Sequence, residues 1–343
     1  MREPRAGTVP SRGAQAPKIR GAPLRIITLA LFACAIALFT GGRLFANHGP
    51  GTSGGASATA SGETLIQGRF ELSLREDFTQ FEHVSRAGAE RRALDAGEFD
   101  AIERSYLTSA SLAFGLTDDF QLSAQIGYYA GENFLDAESE DGIDVESSSA
   151  NPNGPTDLSL GVKYRVLEGR PGNLSVIAGV IAPTGRDDVR LASGERLEPS
   201  SQPGTGAWSY QIGLAYSRFL TSRVTTDASA IYTIRTPHDG FEVGDRVDLG
   251  VAVAYRLIES IRSFPNYSAF AEVNAVWLGK DEASGEVNRN SGGWTVYLTP
   301  GGRVRFNENL SLTIAPSFPV VQELNGEQIE SRFKLAVTLS VSF

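Results

Sequence analysis

From residue 66 to the end of the chain, segments of about ten residues recur in which every second side chain is apolar. That period of two constrains the fold more than any other feature. The plainest case is the last: Phe333, Leu335, Val337, Leu339, Val341 and Phe343 alternate with Arg332, Lys334, Ala336, Thr338, Ser340 and Ser342. Side chains of a strand point alternately to opposite faces, so this segment has one greasy face and one wet face. The same scheme reads at 66–74, 108–116, 120–128, 158–166, 174–180, 208–216, 228–234, 247–257 and 269–277, then near 294–305 and 310–320. With the terminal segment that makes about twelve strands, an even number, as in single-chain bacterial transmembrane barrels.

The connections form a second pattern. After every even-numbered strand the link is short: 117–119, 168–173, 220–223, 258–266 and 306–309. After odd-numbered strands the links are mostly longer and more polar, and the first contains a helix-compatible stretch, Ala89–Ala101. Short turns at one end and long loops at the other are the habit of outer-membrane barrels. Segments of about 11 residues rising ~3.3 Å each and tilted ~45° span ~25 Å, the height of the apolar band of such barrels. The expected fold is therefore all-β: a transmembrane antiparallel up-and-down β-barrel of about twelve strands, both termini periplasmic. Its terminal strand, finishing on Phe343, carries the form expected of the signal that barrel-assembly machinery reads, with Phe333, Leu335, Val337, Leu339, Val341 and Phe343 as the reading face.

Only one apolar run is long and continuous, Ile26 to Phe39, and it follows six basic residues. It is shorter than the ~20 residues of a spanning helix, and a charged segment before a short apolar one is the form of a secretory signal. We assign residues 1–46 as signal peptide, 47–63 as a flexible Gly/Ser/Ala/Thr-rich periplasmic leader, and 64–343 as the barrel. The single cysteine, Cys34, lies inside the apolar run, and the residues after it stay apolar where a lipoprotein signal would turn polar. Removing 1–46, with seven basic groups against Glu3, takes the net charge from −9 to −15. That balance argues against nucleic acid, whose binding needs a basic face.

Strand parity also selects the residues expected to face the lumen. The basic ones are Arg69, Arg75, Lys163, Arg165, Arg235, Arg256, Arg303, Arg305, Arg332 and Lys334; the acidic ones are Glu71, Asp157, Asp227, Asp248 and Glu272. Basic groups lead about two to one on the wet face of an otherwise acidic protein, and a basic lumen attracts anions. The same charges could instead pair across strands and fill a narrow barrel. The loop 131–151 carries seven acidic and no basic residues, but its spacing fails the calcium-loop pattern, so a solvated outer loop is expected. His83 and His238 fall in outer loops with no nucleophile motif beside them, and no phosphate-binding loop or metal-spaced His/Cys cluster occurs. No cofactor or metal is expected, and no enzyme.

Several phrases are similar to those of one outer-membrane barrel family, named for the meta-pathway of phenol degradation and also called transporters. They are Gly115-Leu-Thr-Asp-Asp119, Gly154-Pro-Thr-Asp-Leu-Ser-Leu-Gly-Val-Lys-Tyr-Arg165, Ala182-Pro-Thr-Gly185 and Gly204-Thr-Gly-Ala-Trp-Ser-Tyr-Gln-Ile-Gly-Leu-Ala-Tyr216. Pro300-Gly301, Pro319 and Leu324-Asn-Gly326 complete the set. The resemblance covers most of the chain beyond the leader and implies a barrel passing small, including aromatic, molecules. The expectation is an outer-membrane channel of a Gram-negative bacterium for passive uptake of small anionic or aromatic solutes. Its partners would be outer-membrane lipid, lipopolysaccharide, the assembly machinery and the solute. A closed structural or adhesive barrel and a lipid-modifying enzyme are the rival readings.

Overall fold

The computed structural model describes residues 56–139, 142–260 and 262–343; the signal assigned to 1–46 lies outside them. Among the described residues twelve long strands form the wall: β1 Phe70–Phe81, β2 Arg104–Gly115, β3 Phe120–Glu132, β4 Leu158–Leu167, β5 Asn173–Ala182, β6 Ser209–Phe219, β7 Val224–Arg235, β8 Arg246–Arg256, β9 Asn266–Leu278, β10 Gly293–Arg305, β11 Leu310–Leu324 and β12 Ser331–Ser342. Each pairs antiparallel with its chain neighbours, and β12 closes on β1 through Glu71↔Ser342 to Gln80↔Phe333. Closure leaves no unpaired strand edge, as a lipid environment requires. The twelve-stranded up-and-down barrel read from the period of two is thus the observed fold.

The short turns explain themselves locally. Thr117 Oγ1 accepts from the amides of Asp119 and Phe120 at 3.3 and 3.0 Å. Thr221 Oγ1 accepts from Arg223 and Val224 at 3.1 and 3.0 Å, and Asn307 Oδ1 from Asn309 and Leu310 at 2.8 and 2.9 Å. A hydroxyl or amide side chain bonding backbone two and three residues on is what makes Thr and Asn turn residues.

The apolar parity faces outward: Leu74 is 51% exposed, Ile212 57% and Leu339 40%. Aromatic pairs mark both ends of this band. Phe70 stacks on Phe114 and Phe343 at the short-turn end, and Trp277–Trp294, Phe78–Tyr106 and Phe318–Phe333 lie nearer the long loops. Such girdles suit membrane–water interfaces, where an amphipathic ring is best placed.

Three expected boundaries shift. Ile66 and Gly68 belong to a turn ahead of β1, where Gly68 adopts φ 78° and Arg69 N–H donates to the Ile66 carbonyl. The helix-compatible stretch gives helix α1 over Arg86–Ala96, ending at Gly97 with φ 91°, and the chain then turns into a short strand, Glu98–Ala101. Ser85 caps α1, its Oγ accepting from Gly88 N–H. Finally β11 runs to Leu324, past the expected 320, because it stays paired with β10 as far as Gly293, a bulge opposite Val296/Tyr297 absorbing one residue on the way.

The long loops build a cap. Strands Glu98–Ala101, Phe134–Glu138 and Glu146–Ala150 form a small sheet, with α1 on its apolar face around Phe99, Ala101 and Ala137. A second cluster, Phe134, Val189, Leu191 and Leu197, ties the 183–207 loop to it.

Candidate functional site: the lumen and the segment inside it

The inward parity is polar and, toward the short-turn end, occupied by the chain itself. Residues 56–65 were expected to belong largely to a flexible leader; they are instead held within the barrel and most of them are buried, Ser61 2% and Thr59 4% exposed. The physical reason is that a Gly/Ser/Thr-rich stretch offers bare backbone amides and carbonyls, and the polar wall satisfies them. Residues 47–55 lie outside the described residues.

Glu272 on β9 is the main anchor. Its carboxylate accepts from the amides of Ser57 at 3.2 Å and Ala58 at 3.0 Å, from Thr59 N–H, and from Asn274 Nδ2 at 3.2 Å. Three successive amides around one carboxylate form an anion-holding concavity, here turned onto a fixed wall residue. From there the segment crosses the lumen. Ala60 N–H meets Ser229 Oγ on β7 at 3.1 Å, Gly62 N–H meets Ser217 Oγ on β6 at 2.8 Å, and Ser175 Oγ on β5 donates to the Gly62 carbonyl at 2.6 Å. Lys163 on β4 donates to the carbonyls of Ser61 at 3.2 Å and Glu63 at 3.0 Å; Gln121 on β3 accepts from Leu65 N–H at 3.0 Å. Back near the start, Arg303 on β10 donates to the Ala56 carbonyl at 2.8 Å and Arg75 on β1 to that of Ser57 at 2.8 Å.

Behind Ala56 sits an apolar pad inside the polar lumen: Phe270, Ala252, Ala254, Ala315 and Ala336. The Phe270 ring lies over Gly301 on the neighbouring strand, where an added Cβ would come within 2.1 Å of it. Glycine is required there because the ring needs the space a side chain would take.

The remaining sequence-selected residues separate by position. Arg75 pairs with Asp77 at 2.6 Å and Arg246 with Asp248 at 2.6 Å, both on the inward face. Asp227 is buried and accepts from Ser217 Oγ; Glu71 is 7% exposed, with Ser73 Oγ 3.5 Å from its carboxylate. Lys334 stands 4.2 Å over the Tyr297 ring, and Arg235 donates to the Gly244 carbonyl at 2.6 Å. Others lie at the ends of the barrel. Arg165 pairs with Asp119 and Glu168, Arg256 reaches the Ser222 carbonyl, and Arg305 lies over Phe264, all beside the short turns. Arg69 is exposed ahead of β1, and Arg332 is exposed at the long-loop rim with Glu82 and Glu330. Placing these two on the lumen face is corrected, because each lies at or beyond the limit of a regular ladder where parity no longer applies.

Asp157 is also reassigned. It lies where the β3–β4 ladder breaks off, and its Oδ1 accepts from Gly185 N–H at 2.9 Å while Oδ2 accepts from Thr205 N–H at 2.9 Å and Thr205 Oγ1 at 3.0 Å. The Pro-Thr-Asp, Pro-Thr-Gly and Gly-Thr-Gly phrases therefore meet at one clamp. Gly185 and Gly204 pack so closely that a Cβ on Gly204 would stand 2.7 Å from Gly185 Cα.

Sequence reading missed the inner segment, Phe270, and the acid and the base that complete the wall pairs, Asp77 and Arg246. The pairs were within reach: each is two residues along the strand from its partner on the same parity.

The cap adds an acidic face. Glu98 lies opposite Glu138 and Asp100 opposite Asp136 in the cap sheet, on the side away from α1. Burial, and then Asp136, Glu198, Glu98 and Glu138, hold Asp100 well above the usual carboxylate range. Burial and the same acids with Asp281 push Glu198 up to about 7; Asp136 is also raised, by burial, then Glu195 and Glu98. Asp281 is raised by burial, with the Gly244 amide and Arg235 opposing. The acidic loop is thus partly folded into the cap, and among the described residues its acids make no group that could hold a metal ion.

A family model described as "Putative MetA-pathway of phenol degradation" matches residues 48–318. Among solved structures, the COG4313 outer membrane channel from Pseudomonas putida F1 is similar at 16% identity and TM-score 0.53, over 82% of this chain and 97% of that one. The CymD monoaromatic hydrocarbon channel is more distant, at 10% identity and TM-score 0.43, over 86% and 98%. The KdgM porin stands at 8% and 0.41, over 80% and 99%. No curated protein matches the chain.

Proposed function

The chain belongs to the MetA-pathway phenol-degradation family of outer-membrane barrels, and on that premise we propose that it is a channel for passive uptake of small anionic or aromatic solutes. The observation that carries this reading is a polar lumen, sealed from lipid by twelve closed strands, whose filling is a segment held by side-chain hydrogen bonds. A filling of that kind can leave without unfolding the wall. Lys163, Arg75 and Arg303 each spend donors on carbonyls of residues 56–63 while Glu272 spends its carboxylate on their amides, so withdrawal of the segment exposes three cations against one carboxylate. That supports the anionic class of solute. The short-turn end then faces the periplasm, the cap faces outward, and the face Phe333 to Phe343 serves assembly.

The rival reading, a permanently closed barrel with a structural role, draws on the same inner segment. Single-channel conductance in planar bilayers, with reversal potential under a salt gradient, separates the two. The channel reading expects steps with anion preference that rises when residues 56–65 are deleted and falls when Lys163 and Arg303 are neutralised. Silence from the folded deletion variant refutes it.

A further inference from the structure

The cap sheet is not covered to its base. On the face toward α1 its residues lie in rows: Phe99, Ala137 and Ser147, then, nearer the barrel, Ala101, Leu135 and Ser149. Helix α1 covers the first row, leaving Phe99 1% and Ala137 0% exposed, and Arg86 in its first turn donates to the Ser147 carbonyl at 3.0 Å. The helix begins there, so the second row runs on past it and Leu135 stays part-exposed. Residues 82–85 carry the chain from β1 to α1 along one side. The 183–207 loop closes the other, Ala192 N–H donating to the Ser149 carbonyl at 2.9 Å. Between them lies a cleft of about 680 Å³, within the ~300–1,000 Å³ usual for small-molecule sites.

The cleft has an aliphatic side, made by Val84, Ala101, Ile102, Leu135 and Ala150. Ile102 is seated against Gly131, where an added Cβ would come within 2.7 Å of its Cδ1. The charges along the cleft are already committed. Glu82 pairs with Arg92 at 2.7 Å and Arg332 at 3.4 Å, and Glu103 accepts from Asn133 Nδ2 at 2.6 Å and pairs with Arg104 at 3.3 Å. Arg86 donates to Ser147 Oγ at 2.8 Å, which in turn donates to Glu90 at 2.7 Å. A charged guest would give up its hydration for no free counter-charge. A polyol would need a partner for every hydroxyl beside an aliphatic wall. Two side chains of the lining keep hydrogen-bonding capacity. His83 is exposed and, among the described residues, has no hydrogen bond or ion pair. Asn151 accepts from Asn133 N–H at 3.0 Å through Oδ1, and its Nδ2 has no acceptor among the described residues.

We propose that this cleft at the base of the cap binds a neutral molecule of one apolar ring carrying a hydroxyl, the ring against Ile102 and Leu135 and the hydroxyl at His83 or Asn151. Apolar area removed from water drives the binding, and one or two hydrogen bonds orient it. The site needs no open lumen, so its test stands apart from that of the channel. The probe is cyclohexanol, with benzoate as the charged comparator and glucose as the polyol. The full chain, labelled at its isoleucine Cδ1 methyls and solubilised in detergent, is titrated by NMR. Ile212, 57% exposed on the lipid face, reports partition of the probe into the micelle. The expected result is a saturable shift of the Ile102 signal with cyclohexanol that benzoate and glucose at the same concentration do not produce. Ala192→Trp fills the mouth of the cleft from an exposed position and should weaken binding roughly tenfold, and His83→Ala roughly threefold to fivefold, with the Ile212 response unchanged. Heat-modifiable migration checks that each variant folds, and either one alone tests the cleft should the other fail. An Ile102 shift that follows Ile212 without saturating overturns the site, as does unchanged binding in folded Ala192→Trp. Unchanged binding in folded His83→Ala overturns the place given to the hydroxyl at that side chain. Saturable binding of benzoate or glucose as tight as that of cyclohexanol overturns the class of ligand.

Discussion

Replacing Glu272 should release the inner segment. The carboxylate accepts three backbone amides, from Ser57, Ala58 and Thr59, and is 1% exposed. Hydrogen bonds to a charged group contribute ~1.5–3 kcal/mol each, and leaving buried donors without partners costs ~1–3 kcal/mol per group. Part of that cost is returned in Glu272→Ala, because the wall is polar and water can enter the space the side chain leaves. A net loss of about 3 kcal/mol is the working figure, and at ~1.4 kcal/mol per tenfold it shifts the docked-to-released ratio by on the order of a hundredfold. Glu272→Gln keeps an acceptor but loses the charge, so it should fall between the two. The segment's protease susceptibility reports release directly, and open probability in a planar bilayer reports its consequence. Heat-modifiable migration on a gel checks that the barrel still closes. If folded Glu272→Ala resists protease as the unsubstituted chain does and its conductance is unchanged, the carboxylate is not the anchor and the reasoning fails.

Three further outcomes follow from single contacts. Gly301→Ala should cost ~1–3 kcal/mol by overpacking the Phe270 ring, read as a lowered gel-migration transition temperature, and Phe270→Ala in the same chain should recover much of it if the clash is the cause. Asp157→Ala removes the acceptor for Gly185 and Thr205; the 183–207 loop should become the first site of proteolytic nicking, and a nicking pattern like that of the unsubstituted chain would deny the clamp. The cap should tighten in acid. Glu198 holds its proton up to about pH 7 when the cap is folded, a value raised above that of the open chain. Its contribution is therefore complete below the ordinary carboxylate range and lost as pH rises through 7. Protection of residues 98–101 and 134–138 against hydrogen exchange, taken relative to the intrinsic rate at each pH, should fall between pH 5 and 8, and Glu198→Gln should flatten the change.

How much of this was legible in the sequence follows from what a period of two encodes. Alternation tells which face of a strand is wet, so Leu335 or Ile212 could be sent to lipid and Glu272 or Arg303 to the interior without any structure. It fails where the ladder stops: Arg69, Arg332 and Asp157 kept their parity on paper but sit in a turn, at a rim and at a break in pairing. More important, parity says that a face is inward and nothing about what the interior holds. Residues 56–65 have no period, no apolar run and a composition that on its own describes a linker. They are ordered by partners 100 or more positions away, Lys163, Ser217, Ser229 and Glu272, and such pairing leaves no local mark. One clue was available. The chain reaches β1 at the short-turn end, beside the lumen mouth, carrying bare backbone amides toward a wall whose inward face is rich in serines, carboxylates and amines. Acceptors on the wall and bare backbone ahead of it meet the same requirement. The lumen charges hold the segment in place, and on the channel reading proposed above they would face the solute once it leaves.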